Sequence, residues 1–166
     1  MAKAMVALAT ITLSGTQARV TFSSIPSTYR DLRLVMVAAT NINSNNFMRL
    51  NNDSAGNYAQ VYVTGNGSTV TSGGFIGGSF VGTDSSGFTT TVVGDTNHII
   101  DILDYSATDK HKPMLFRSNR AGGAIDMMVG RWASTAAVTS LYVDATNGGA
   151  SGFTAGSTFS LYGVVG

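Results

Sequence analysis

The sequence predicts an all-β protein, an antiparallel β-sandwich of jelly-roll type built from about a dozen short strands. Three observations carry this expectation. The chain of 166 residues has nine acids, all Asp, and three lysines, Lys3, Lys110 and Lys112. Glu and Lys are straight-chain helix formers, whereas Asp favours turns and caps. Twenty glycines, with many Ser, Thr and Asn, suit turns and strands. Finally, apolar residues recur with a period of two, and no window sustains the helical period of 3.6.

The opening run "MAKAMVALATITL" sets Lys3 ahead of apolar residues and Ala7-Leu8-Ala9, as a leader peptide would. Cleavage after Ala9 would leave an apolar region of about five residues, too short for a leader. Thr10 and Thr12 alternate with Ile11 and Leu13, so residues 4–13 read as the first strand. "LSGTQARV" is a hairpin-like connection to a strand at 18–23. "SIPSTYRD" is a turn held by Pro26 and leads into 31–39. The Asn/Gly segments "NINSNN", "NNDSAGN" and "GNGS" read as turns separating strands at 47–51, 58–64 and 68–71. The glycine-rich stretch at 72–87, "SGGFIGGSFVGTDSSG", reads as a long surface loop or an irregular edge, because glycine weakens a strand interior. Strands at 88–93, 97–105, 113–118, 124–132 and 139–144 follow.

The last segment, "FTAGSTFSLYGVVG", places Phe159, Leu161 and Gly163 on one side and Ser160, Tyr162 and Val164 on the other. A terminal segment with bulk on both sides is expected to be tied into a sheet. Residues 157–165 therefore read as a strand that completes the sandwich. No linker divides the chain, so residues 1–166 read as one domain.

Several chemistries are excluded by composition and spacing. A net charge of +1 and arginines scattered from Arg19 to Arg131 leave no footprint for nucleic acid. Without cysteine there is no disulfide, thiolate ligand or Cys nucleophile. No run reaches the roughly 18 apolar residues of a membrane span. "GNGSTV" lacks the third glycine of a dinucleotide fingerprint, and "GGSFVG" has Val81 where a nucleophile elbow needs glycine. Asp101 and Asp104, three apart on a strand, face opposite ways and cannot converge. His98 and His111 fall short of the three protein ligands of a catalytic zinc. No enzymatic activity and no cofactor are expected. The loop aspartates Asp53, Asp84, Asp95 and Asp144 offer oxygens suited to calcium, but no spacing singles out a site. Among the aromatics, Trp132, Tyr142 and Tyr162 alternate along strands and read as core, while Tyr58 and Phe75 lie beside loops and read as open to a partner.

Three segments, "RVTFSSIPSTYRDLRLV", "VGRWASTAAVTSLYVDA" and "FTAGSTFSLYGVVG", together resemble a group of small β-rich virion proteins of tailed bacteriophages. In that group an F-x-SIP-x-x-Y-x-DL segment leads into an early strand, and the chain closes on GS-x-x-SLYG. Phe22, Ser24, Ile25, Pro26, Tyr29, Asp31 and Leu32 match the first pattern. Gly156, Ser157, Ser160, Leu161, Tyr162 and Gly163 match the last, and the tail "VVG" extends beyond it. The matched positions read as structural, with Asp31 placed to accept hydrogen bonds from turn amides. The resemblance implies a virion structural protein, either a capsid decoration protein or a tail-fibre or tail-tip module.

The leading expectation is a capsid decoration (cement) protein on the outer capsid surface, with the major capsid protein as partner. A fibre protein carries shaft and attachment domains, and nothing in these residues resembles either. Three lysines are few to guard the edges of about a dozen strands, so the edges are expected to be covered by association. A homo-oligomer follows, a trimer that matches the three-fold positions of a capsid lattice. Arg19, Arg30, Arg33 and Tyr58 are the expected contacts, since Arg and Tyr are enriched at interface hot spots. The first strand, 4–13, is alternatively free to add to a neighbour's sheet. The alternative function is a tail module recognising a host surface glycan through loop aromatics and Asn or Asp side chains.

Overall fold

The computed structural model describes residues 4–42, 44–82, 89–90, 96–119, 123–146 and 151–166. Among these it contains thirteen strands: β1 (Met5–Thr12), β2 (Arg19–Phe22), β3 (Asp31–Ala38), β4 (Ser44–Leu50), β5 (Tyr58–Gly65), β6 (Val70–Gly78), β7 (Val81–Gly82), β8 (Thr89–Thr90), β9 (Thr96–Ile102), β10 (Lys112–Asn119), β11 (Ile125–Trp132), β12 (Leu141–Thr146) and β13 (Thr158–Val164). No helix occurs among the described residues, and none is long and apolar enough to cross a membrane.

The strands form two antiparallel sheets. The larger has eight strands in the order β1-β13-β3-β9-β10-β11-β5-β6, and the smaller runs β2-β12-β4-β7 with β8 paired to β4. Period-two alternation decides which face of each strand is covered. In β3, Leu32, Leu34, Met36 and Ala38 are buried, while the residues between them are half-buried. Leu34, Ile100, Phe116 and Leu161 of the large sheet meet Met48, Leu50, Leu141 and Val143 of the small one in a common core cluster. This is the two-layer packing of a β-sandwich.

The closing segment lies inside the large sheet. Strand β13 pairs with β1 on one side and β3 on the other. Phe159 and Leu161 are buried as their alternation requires. Strand β1 holds this register from Met5↔Val164 to Thr12↔Thr158, with a bulge between Ala7 and Ala9.

Turn chemistry explains the connections. Pro26 sits in a loop whose carbonyl accepts the hydroxyl of fully buried Tyr105, and the Tyr29 amide also reaches that hydroxyl, at 3.4 Å. Asp31 Oδ1 accepts the Asp104 amide at 2.8 Å. Between β5 and β6, Asn66 Oδ1 accepts the amides of Ser68 and Thr69, and Gly67 takes a φ of 88°.

Two sequence expectations are corrected, those for "NINSNN" and for the end of β9. Of the two readings of the glycine-rich stretch, its start takes the irregular edge: β6 runs through Gly78 and forms the edge of the large sheet, with a register shift against β5, while residues 83–87 lie outside the described residues. Backbone pairing along β5 supplies what the missing side chains do not. "NINSNN" is not all turn, since β4 begins at Ser44 and Asn46 is buried within it. Strand β9 stops at Ile102, and Asp104 lies in the following turn with a φ of 46°. Of the expected strand at 88–93 only Thr89 and Thr90 lie among the described residues, and both are in β8.

Candidate interaction surface

The outward face of the large sheet is apolar at one end. On β11, Asp126, Met128, Gly130 and Trp132 point into the sandwich, which leaves Ile125, Met127, Val129 and Arg131 outside. The ladder to β5 sets Val129 against Val61 and Met127 against Val63. From β5 to β6 it sets Ala59 against Ile76 and Gly65 against Val70. Cross-strand partners share a face, so these side chains form one continuous strip. Val61 is 67% exposed, Ile125 70% and Ile76 87%. Val61, Val63, Leu115, Met127 and Val129 line a shallow depression of about 360 Å³ on this strip.

Beyond β10 the same face becomes charged. Arg33 Nε donates to Asp101 Oδ1 at 2.6 Å, and Arg117 donates to Asp101 Oδ2 at 2.7 Å. Hydrogen bonding to Asp101 raises the Arg33 pKa further, against the opposing effect of burial. One carboxylate thus bridges β3 and β10 across β9.

The outer face of the small sheet is a layer of arginines on aromatic rings. Arg19 donates to Asp144 Oδ2 through Nε at 2.9 Å and through an Nη at 2.5 Å, with its guanidinium 4.0 Å from the centre of the Tyr142 ring. Arg49 donates to the Tyr142 hydroxyl at 2.8 Å and to the Ser79 carbonyl at 2.8 Å. Phe47 packs on Phe80 at 5.1 Å between centroids, and Phe80 on Phe75 at 6.1 Å.

The four expected contact residues do not come together. Arg19 lies on the outer face of the small sheet, Arg33 on the outer face of the large one. Arg30 has a side chain 68% exposed, and its amide donates to the Val164 carbonyl at the end of β13. Tyr58 is a correction: it is 1% exposed, stacked beside Trp132, and its hydroxyl accepts the Leu50 amide at 2.9 Å and donates to the Leu50 carbonyl. It pins the β4–β5 connection and is closed to a partner. Phe75, also expected to be open, is half-buried against Phe80 and the core. Trp132 and Tyr142 are buried as expected, and Tyr162 is half-buried.

Two of the loop aspartates are already occupied. Asp53 accepts from Trp132 Nε1 at 2.6 Å, Asn57 Nδ2 at 2.8 Å and the Ala55 amide at 2.9 Å. Burial pushes its carboxyl up, but the bonds from Asn57, Trp132 and Ala55 outweigh this and hold it below the usual carboxylate range. Asp144 is taken by Arg19. Asp84 and Asp95 lie outside the described residues. Among the described residues, no group of three or more His, Cys, Asp or Glu is placed to hold a metal ion.

The exposed apolar strip was missed in the sequence, although all of its residues except Ile76 were placed on strands. Lys112, counted among the lysines that might guard an edge, is fully buried. Its Nζ donates to the carbonyls of Lys110, Ser134 and Thr135. Burial lowers its pKa.

No family model and no curated relative matches the chain. Among solved structures it is similar to galectin LEC-6 of Caenorhabditis elegans, with a TM-score of 0.38 and 10% identity over 91% of this chain and 94% of that one. It is also similar to a mutant of alginate lyase Aly36B in complex with an alginate tetrasaccharide, with a TM-score of 0.24 and 13% identity over 86% of this chain and 79% of that one. At these scores neither likeness bears on the chemistry of this chain.

Proposed function

We propose that this chain is a phage virion structural protein, a capsid decoration module that works as a homotrimer on the outer capsid surface with the major capsid protein as partner. The observation that carries the reading is the continuous apolar strip on the outer face of β11, β5 and β6. An apolar patch of this extent on a sheet face marks an association surface. Its edge strand, "VTSGGFIGG", holds no charge and no proline to deter pairing. The paired motifs at the two ends of the chain, which resemble those of virion proteins, support the same reading. No catalytic role is assigned: among the described residues Asp31, Asp53 and Asp101 are held in ion pairs or hydrogen bonds.

The test is binding of purified protein to undecorated capsids, with the oligomeric state read by light scattering. A trimer that binds capsids with little loss at raised salt is the expected result, because apolar contact is not screened as exposed ion pairs are. A strictly monomeric protein that ignores capsids but adheres to host cells would move the assignment to a tail module recognising a surface glycan.

A further inference from the structure

We infer that the strip on β11, β5 and β6 is the self-association face of this protein, and that its occupant is a second copy of this chain. The inference rests on the association reading above and deepens it by naming the partner of this face. Val61, Val63, Val70, Ile76, Ile125, Met127 and Val129 are each between 42% and 87% exposed. Together they expose on the order of 800 Å², close to the roughly 800 Å² that each partner contributes to a standard protein interface. Patches on ordinary monomers reach about 300–600 Å². This strip has the area of half an interface on one sheet face.

The chemistry of the strip favours a copy of itself over a partner of different character. Among the described residues the charges bordering it are Arg131 at one end and Arg117, which is already held by Asp101. A face with no charge pattern offers nothing to match on a charged partner, whereas copies of this chain set about a three-fold axis turn apolar surface towards apolar surface. Met127, half exposed, lies beside the depression at Val61 and Val129, and a flexible methionine adapts to such self-packing. Among the described residues β6 pairs only with β5, and its other edge adjoins the strip at the margin of the same contact.

The experiment is sedimentation of the full chain, wild type against Val61→Lys/Val129→Lys, with Ile76→Lys and Val129→Ser as milder variants in case the double variant does not fold. All three positions face outward, so a native circular dichroism spectrum is expected; the two lysines of the double variant stand directly opposite on β5 and β11 and lower its melt, while the single variants stay near the wild type. The expected result is an oligomeric wild type and a double variant whose dissociation constant rises at least about a hundredfold, with the milder variants between. A monomeric wild type overturns the inference, and so does a folded double variant that assembles as the wild type does. Capsid binding separates the two proposals. A monomeric wild type whose capsid binding is lost in the double variant assigns the strip to the capsid protein, and keeps the capsid-decoration role while overturning the homotrimer. An oligomer sensitive to the double variant that ignores capsids keeps this inference and overturns the capsid role.

Discussion

The ring of Tyr29 lies directly against the bare backbone of Gly163, so closely that a Cβ at Gly163 would fall 2.3 Å from Tyr29 Cγ. Tyr29 belongs to the early loop and Gly163 to the last strand, which pairs with β3 through Gly163↔Leu32. The two ends of the chain thus meet in one contact, for which residue 163 must lack a side chain. Gly163→Ala is expected to destabilise the protein by about 1–3 kcal/mol, the usual cost of overpacking. Urea denaturation of Gly163→Ala, Tyr29→Ala and the double variant checks it. If the ring is the obstacle, the double variant loses less than the sum of the single variants; simple additivity would place the strain elsewhere.

Deleting residues 157–166 is expected to leave aggregated or unfolded protein. Both β1 and β3 would lose a ladder partner. Burying Phe159 and Leu161 contributes roughly 1.5–3 kcal/mol each, against a total stability of about 5–15 kcal/mol. A soluble truncation with a cooperative melt would show that β13 is dispensable.

Tyr58 gives the protein an alkaline limit. Burial pushes its phenol well above the ordinary value, outweighing the Leu50 hydrogen bond that favours the phenolate. An acid whose folded pKa is raised keeps its full contribution below its unfolded pKa of about 10 and loses it as pH climbs above that value. Tyr105 is raised by burial and acts in the same direction, while Lys112, whose pKa is lowered, acts in the opposite one. The difference between wild type and Tyr58→Phe isolates the Tyr58 share. At neutral pH the variant is expected to be less stable by about 1 kcal/mol, for the lost hydrogen bonds. Above pH 10 the gap should close. A gap independent of pH from 8 to 11 would refute the assignment.

Asp53 supplies the acid limb. Its folded pKa is lowered, so its contribution is complete above the unfolded carboxylate value and fades as pH falls through the folded one. Asp53→Asn should therefore unfold at lower urea than wild type at pH 7, with the two converging in acid. Trp132 is the single tryptophan and donates to Asp53, so its fluorescence reports the loop directly. An unchanged emission maximum in Asp53→Asn would mean that the clasp is not holding the indole.

Asp101 is the one carboxylate for two arginines of the large sheet, Arg33 and Arg117. Asp101→Asn is expected to cost about 1 kcal/mol at low salt, and less at high salt, because both arginines are partly exposed. A loss that does not depend on salt would point to packing as the cause.

The strands themselves were legible because alternation and Asn/Gly turns are local signals, and β3, β10, β11 and β13 fall within a residue or two of where those signals place them. Orientation was less legible. In "IDMMVGRW" the set Ile125, Met127 and Val129 is more apolar than the set Asp126, Met128 and Gly130, yet the second set faces inward. Buried Asp126 accepts a hydrogen bond from Ser118 on β10, a partner that lies eight residues away and that no periodicity announces. Tyr58 was misplaced for a similar reason. Proximity to a loop suggested exposure, but the hydroxyl folds back on Leu50 of the preceding strand. Beyond Thr71 the sequence left β6 undecided between a loop and an irregular edge, because main-chain pairing needs no side chains and glycine composition says nothing of which backbone lies alongside.

The pairing of β1 with β13 joins positions as far apart as Thr10 and Ser160, whose hydroxyls meet at 3.0 Å across 150 residues of chain. During synthesis at about 5–20 residues per second, β1 emerges roughly 8–30 s before its neighbour. For that interval an uncharged, apolar strand waits beside the ribosome with both edges open. The large sheet closes late, and its formation is governed by long-range contacts, which are the slow ones to find. Chaperone dependence and cold-favoured solubility on expression are the expected marks of that delay, and any assembly of the mature protein must follow it.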